Sequence, residues 1–182
     1  MNDIVTATSV SYDEAVARIT AIQSKEGADI DDVCHTRLWT HGQKTERVLV
    51  YFHGYTNCPA QLDQLGETLY QKGLNVFVPR IEFHGLKNLM NDDQAKLTSD
   101  MLVRLTNESI DIAHGLGDDV TVMGLSAGGV MAAYAAQFRS DVDLAVVVSP
   151  SLGLPFAPAF VSGLAKAIVP HIPNMFIWWD PR

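Results

Sequence analysis

The chain has 182 residues, a formal net charge of −8 and a pI near 5.0, and its length suits one domain with a sizeable core. This acidic balance argues against nucleic acid and anionic membranes as partners. No apolar run reaches the length of a membrane span, and the first residues show no basic region followed by an apolar stretch, so no signal peptide is visible. We therefore expect a single domain over residues 1–182, located in the cytoplasm.

Helical and extended patterns alternate in the first half of the chain. Ser11 and Glu14 have the spacing of a capping box, which predicts the start of a helix. Further elements follow from apolar spacing, β-branched runs and breaking residues: a helix over 12–22, a weak strand over 35–40, a buried strand over 47–52, a helix from Pro59 to Gly73 and a strand over 75–79.

The second half continues the alternation. We predict a loop over 84–97, a helix from about Thr98 that Gly115 and Gly117 stop, a strand over 120–123, a helix over 130–136 and a strand over 144–148. The last strand is apolar throughout, which predicts a central strand covered on both faces. Strands that alternate with helices indicate the α/β class with a mostly parallel, doubly wound sheet. Ligands of such sheets bind at the carboxyl ends of the strands.

The pentapeptide Gly124-Leu125-Ser126-Ala127-Gly128 stands between the strand over 120–123 and the following helix. Strand, G-x-S-x-G and helix together are typical of a nucleophile elbow. The sharp turn would present the Ser126 hydroxyl at the strand end, and the flanking glycines would permit close backbone approach. Ser126 is therefore the predicted catalytic nucleophile. The alternative is a glycine-rich turn without chemistry.

A second motif, His53-Gly54-Tyr55, ends the buried strand over 47–52. A strand ending in His-Gly-aromatic well before G-x-S-x-G resembles the α/β-hydrolase superfamily, closest to its carboxylesterase and monoglyceride-lipase-like members. The chain resembles the N-terminal two-thirds of such a protein. The resemblance implies a three-layer α/β-hydrolase sandwich, here incomplete at the C-terminus.

The resemblance also implies roles for individual residues. By position, the backbone N–H groups of Tyr55 and Ala127 would form the oxyanion hole. His53 would organise the loop instead of acting as the base, and Gly54 and His84 would line the site with it.

The acid and histidine of a catalytic triad follow the nucleophile in this superfamily. The residues after Ser126 that could serve are Asp141, Asp143, His171 and Asp180. The first two precede the strand over 144–148, at the end away from the site, and the last two lie in the tail. His84, in a loop after a strand, is a weaker candidate for the base. We therefore expect the acid and histidine beyond Arg182, with a dimer or a second fragment as another way to complete the fold.

Residues 152–182 are apolar and proline-rich, which predicts the start of a cap or lid, with Phe156–Ile168 as its helix. The alternative is a core helix plus a terminal strand. Cys34 and Cys58 have no metal-ligand spacing, and two cysteines make no disulfide framework. Cys58 is predicted to be a packing residue, although it could line the site. The acidic turn at 29–32 is predicted to be a solvated surface, and we expect neither a metal nor a cofactor.

These predictions favour a serine hydrolase that cleaves a carboxylic ester, either a lipid ester or a small acyl ester. One alternative is another acyl reaction on the same elbow: thioester hydrolysis, C–C hydrolysis or acyl transfer. The other is a truncated, non-catalytic domain that binds an apolar ligand or a partner chain.

Overall fold

A computed structural model describes residues 10–152, and its five strands form one sheet. The strands are β1 (Arg37–Trp39), β2 (Thr45–Phe52), β3 (Asn75–Val78), β4 (Gly117–Leu125) and β5 (Leu144–Val148). Their order in the sheet is β1-β3-β2-β4-β5. The pair β1 and β3 is antiparallel and the other neighbours are parallel. The predicted α/β class with a mostly parallel sheet is thereby confirmed.

Among the described residues there are four α-helices, of which the first precedes the first strand and the other three connect strands. They are α1 (Tyr12–Lys25), α2 (Asp63–Gln71), α3 (Ser99–Leu116) and α4 (Ala127–Phe138), and short 3₁₀ turns occupy Pro59–Leu62 and Asp93–Lys96. The Ser11 hydroxyl caps α1 by accepting a hydrogen bond from the Glu14 N–H at 3.2 Å. The Glu14 carboxylate pairs with Arg18. It is therefore engaged with Arg18 instead of making the return hydrogen bond of the predicted capping box.

Helices cover both faces of the sheet, which gives three layers. The side chains of β2 alternate between these faces because successive residues of a strand point to opposite sides. Val48, Val50 and Phe52 pack with residues of α1, α3 and α4. Leu49 and Tyr51 pack on the other face with residues that include Leu62 and Leu69. All five β2 residues are buried, so β2 is the centre of the core.

Strand β5 departs from its prediction. It pairs with β4 on one side and is the last strand of the described sheet. Leu144 is 55% exposed and Val147 is 39% exposed, so the prediction of a strand covered on both faces is wrong for the described residues. An apolar composition does not by itself determine where a strand lies in a sheet.

The two cysteines also depart from their prediction. Cys34 and Cys58 form a disulfide with a Cα–Cα distance of 5.2 Å. The prediction that the two cysteines make no disulfide framework is therefore wrong, whereas the prediction that Cys58 is a packing residue agrees with its burial in a cluster with Ile30. The bridge joins the segment before β1 to the loop after β2. Gly85, with φ of +70°, permits this approach, since a methyl group at its position would lie 2.5 Å from the Cys34 Cβ.

No helix within residues 10–152 is both long enough and apolar enough to cross a membrane. The predicted cap at 152–182, and with it His171 and Asp180, falls outside the described residues except for Leu152.

Candidate active site

Ser126 occupies the turn between β4 and α4. Its φ of 58° and ψ of −112° lie in a region that non-glycine residues rarely adopt. The surrounding backbone holds this conformation: the Ser126 N–H donates to the Val148 carbonyl at 3.0 Å, and the Ser126 carbonyl accepts from the N–H groups of Val130 and Ser151, both at 3.2 Å. The turn is thus anchored to the end of β5 and to the first turn of α4.

The two glycines of the pentapeptide are required by close backbone contacts. A methyl group on Gly124 would lie 1.9 Å from the Gly128 carbonyl oxygen. A methyl group on Gly128 would lie 2.0 Å from the Phe52 carbonyl oxygen and 2.8 Å from that of His53. No side chain fits at such distances. The start of α4 therefore lies directly against the end of β2, where the His53-Gly54-Tyr55 motif begins.

The Ser126 hydroxyl has one side-chain partner among the described residues, the Ser151 hydroxyl, at an Oγ–Oγ distance of 2.8 Å. Within residues 10–152, neither a histidine nor a carboxylate hydrogen-bonds to Ser126. The base and acid that a serine nucleophile needs are therefore not brought to it by this part of the chain.

Asp141 and Asp143 lie at the opposite end of the sheet from Ser126. Asp141 binds Arg139 and His114, the latter at 2.9 Å, and Asp143 accepts a hydrogen bond from the Val120 N–H at 2.7 Å. Both carboxylates precede β5 and are engaged in structural contacts there.

The peptide group between Gly54 and Tyr55 is tightly held. Its carbonyl, on Gly54, accepts hydrogen bonds from His53 Nδ1 at 2.9 Å and from the Asn57 N–H at 3.0 Å. The Gly54 N–H donates to Gln61 Oε1 at 2.9 Å. In a trans peptide the C=O and the N–H point in opposite directions. The contacts to the Gly54 carbonyl therefore fix the direction of the Tyr55 N–H.

His53 provides one of these contacts and is fully buried. Its Nε2 accepts a hydrogen bond from the Ile81 N–H at 3.1 Å, so the proton of the neutral ring resides on Nδ1, which donates to Gly54. The pKa of His53 is lowered to about 3, mainly by burial and to a smaller extent by the nearby His84 and Arg80, against the raising effect of the Gly54 carbonyl. With both nitrogens engaged, His53 is a neutral structural side chain and is not available as a base.

His84 lies behind the same loop. Its ring packs edge-on against the Tyr55 ring at a centroid distance of 5.0 Å, and it lies 5.5 Å from the His53 ring. Its Nδ1 contacts the Glu82 carbonyl at 2.9 Å, and burial lowers its pKa. His84 therefore supports the loop from the interior and does not reach the Ser126 hydroxyl.

Ala127 and Tyr55 both lie just beyond the carboxyl ends of neighbouring parallel strands, β4 and β2. Ala127 is the first residue of α4, so its N–H has no acceptor within the helix, and the helix dipole favours negative charge there. The register pairs Phe52 with Gly124, and a methyl group on Gly54 would lie 3.7 Å from the Leu125 carbonyl oxygen. The segments that carry the two predicted oxyanion donors thus lie side by side at the carboxyl ends of β2 and β4.

Several residues of this region were missed by sequence reasoning. They are Gln61, Arg80 and Ser151. Their contacts with this region form only in the folded chain, and none of the three belongs to a sequence motif. Among the described residues, no group of three His, Cys, Asp or Glu side chains is placed to hold a metal ion.

No family model matches this chain. A thermostable monoacylglycerol lipase from Bacillus sp. (strain H-257) is 26% identical over 111 residues, which are 61% of this chain and 43% of that protein.

Solved structures resemble the chain at low sequence identity. One, from work on the metagenome-derived lipolytic enzymes LipS and LipT, has a TM-score of 0.55 at 20% identity and covers 71% of this chain and 56% of its own. A monoacylglycerol lipase of Paleococcus ferrophilus has a TM-score of 0.52 at 20% identity, with coverages of 78% and 52%. A thioesterase domain from the curacin biosynthetic pathway has a TM-score of 0.55 at 17% identity, with coverages of 74% and 47%.

These likenesses show the fold of the chain and how much of each related protein the chain covers. The chain spans 43% of the length of the lipase it matches in sequence and 56% or less of these three solved structures.

Proposed function

The chain has the α/β-hydrolase fold, and we propose that it is a serine hydrolase that cleaves carboxylic esters. The observation that carries this proposal is the backbone of Ser126, held at φ 58° between β4 and α4 beside a Gly54–Tyr55 peptide whose orientation is fixed. A strained residue presented in this way is typical of a nucleophile.

The proposed chemistry begins with attack of the Ser126 Oγ on the ester carbonyl carbon. The negative charge that develops on the carbonyl oxygen is stabilised by the N–H groups of Tyr55 and Ala127, each donor contributing about 3 kcal/mol to the transition state. A base must remove the Ser126 proton, and an acid must orient that base. Both are proposed to lie outside the described residues. His84 does not have this role, since its ring packs behind Tyr55.

The proposed substrate is a lipid ester or a small acyl ester. Support comes from the monoacylglycerol lipase that the chain matches in sequence and from the two lipolytic structures that share its fold. A thioester is the second candidate, because the thioesterase domain shares the fold equally well. A non-catalytic binding domain is the remaining alternative.

Ester hydrolysis by the wild type and by Ser126→Ala tests the proposal. Matched oxygen esters and thioesters of two acyl-chain lengths serve as substrates, and Ser24→Ala, on the exposed surface of α1, serves as the control. We expect Ser126→Ala to lower kcat/KM by at least about 10³-fold and Ser24→Ala to have no effect. Equal turnover by all three proteins would contradict the role of Ser126, and a preference for thioesters would favour the second candidate.

The cytoplasmic location and the dimer or second fragment stay predictions. The disulfide between Cys34 and Cys58 is more typical of an oxidising compartment than of the cytosol. Thiol counting on protein taken from its native compartment would decide whether the bridge forms there.

A further inference from the structure

Glu26, directly after α1, is the anchor of a buried polar network. Its side chain is 4% exposed. The carboxylate accepts hydrogen bonds from the Thr36 N–H at 2.9 Å and the Thr36 hydroxyl at 2.6 Å. It also binds His35 Nδ1 at 3.1 Å and Arg80 Nε at 3.2 Å. A carboxylate this buried is stable only when it is fully paired, so Glu26 has one well-defined position.

Arg80 extends this network towards the proposed oxyanion loop. It follows β3, and its side chain is 15% exposed. While Nε binds Glu26, Nη1 donates to the His84 carbonyl at 3.1 Å and contacts the Ile81 carbonyl at 3.4 Å. The guanidinium thus holds both ends of the turn over residues 81–84. A lysine cannot replace it, because one ammonium group lacks the planar fork that reaches both sides.

The turn over residues 81–84 contacts the loop in two places. The Ile81 N–H donates to His53 Nε2 at 3.1 Å, which leaves the ring proton on Nδ1, where it binds the Gly54 carbonyl at 2.9 Å. The His84 ring packs against the Tyr55 ring at 5.0 Å. A shift of this turn would therefore rotate the Gly54–Tyr55 peptide.

We propose that Arg80, held in place by Glu26, is a positioning residue that sets the direction of the Tyr55 N–H through the turn over 81–84 and His53. This inference rests on the proposed function, in which that N–H binds the oxyanion. Arg80 touches neither the substrate nor Ser126, so its effect is on the alignment of the donor. Misalignment of a reacting group by about 1 Å can cost on the order of 100-fold in rate.

The test compares Arg80→Lys with Arg139→Lys. Arg139 is the matched control because its side chain is also buried and ion-paired, with Asp111 at 2.6 Å and Asp141 at 2.7 Å, at the far end of the sheet. We expect both variants to lose stability. Only Arg80→Lys should lower kcat, by roughly 10- to 100-fold, with KM changed less than about threefold. Glu26→Gln, which is nearly isosteric, should lower kcat as Arg80→Lys does. If Arg80→Lys does not fold, Glu26→Gln takes its place in the test.

A second readout does not depend on turnover. The ¹H–¹⁵N signal of the Tyr55 amide should shift in Arg80→Lys or Glu26→Gln and stay in place in Arg139→Lys. Equal losses of kcat in the Arg80 and Arg139 variants, or an unmoved Tyr55 signal, would overturn the positioning role. If the wild type hydrolyses no ester while the Tyr55 signal shifts as expected, the proposed function fails and the positioning role stands.

Discussion

Ser126 has a backbone conformation that costs a non-glycine residue on the order of 1–3 kcal/mol. The hydrogen bonds from Ser126 to Val148 and from Val130 and Ser151 back to Ser126 maintain it. Gly124 and Gly128 make the turn sterically feasible, because any side chain there would overlap backbone atoms. Part of the backbone strain thus falls on the residue that the proposed reaction uses; among the described residues, Phe83 and Ser149 also have positive φ, 64° and 43°.

At the scale of single residues, local motifs were sufficient to predict which segments lie at strand ends, while the catalytic roles of those residues stay predictions. The two motifs located Ser126 and the His53-Gly54-Tyr55 loop at adjacent strand ends, and the register of β2 with β4 places them together. Glu26 and Arg80 could not be found in this way. They are 54 positions apart, and their pairing depends on how α1 and β3 come together in the folded chain.

The buried neutral state of His53 predicts a pH dependence of stability. The pKa of His53 falls from 6.5 to about 3 on folding, so the unfolded chain binds this proton more readily. The stability from this residue is complete above pH 6.5 and is lost as the pH falls towards 3, by roughly 1 kcal/mol per pH unit. The lowered pKa of His84 acts in the same direction.

Urea unfolding of the wild type and of His53→Gln between pH 7.5 and 4.5 measures this effect. Carboxylates contribute to both proteins alike, so the difference between the two curves isolates His53. The wild type should lose more stability on acidification than the variant does. Parallel curves would show that His53 is not held neutral.

At the scale of elements, most helices and strands were predicted, and the errors have identifiable causes. The prediction that Gly115 and Gly117 stop α3 is half right, because the helix runs through Gly115 to Leu116 and Gly117 is its C-cap. A methyl group on Gly115 would lie 2.6 Å from the Ser11 carbonyl oxygen, so this glycine allows α1 and α3 to approach closely. The segment after Pro59 begins as a 3₁₀ turn before α2, a distinction that apolar spacing does not reveal.

The disulfide is the element-scale feature that the sequence could not predict, since two cysteines 24 positions apart form no recognisable framework. Replacing both, as Cys34→Ser with Cys58→Ser, should lower the free energy of unfolding by about 3 kcal/mol, because the unfolded chain is no longer cross-linked.

Reduction with dithiothreitol provides the control for this prediction. It should lower the unfolding midpoint of the wild type in urea and leave that of the double variant unchanged. An unchanged midpoint for the wild type would mean that the bridge adds no stability.

At the scale of the whole molecule, the alternation of strands and helices was sufficient to predict a mostly parallel sheet between helical layers. It was not sufficient to predict the strand order or the position of β5 as the last of the strands that the structure describes. Those depend on which strands pair, and pairing is a long-range property. The comparisons add that the chain corresponds to about half of each related structure, which accords with the absence, among residues 10–152, of an acid and a histidine at Ser126.

The central claim is that Ser126 is an activated nucleophile, and intact-protein mass spectrometry after treatment with a fluorophosphonate tests it most directly. This reagent forms a covalent adduct with an activated serine. We predict one adduct per chain, mapped to Ser126 by peptide sequencing and missing from Ser126→Ala. A wild-type protein that is folded, as shown by its circular dichroism and cooperative unfolding, yet forms no adduct at Ser126 would contradict the account.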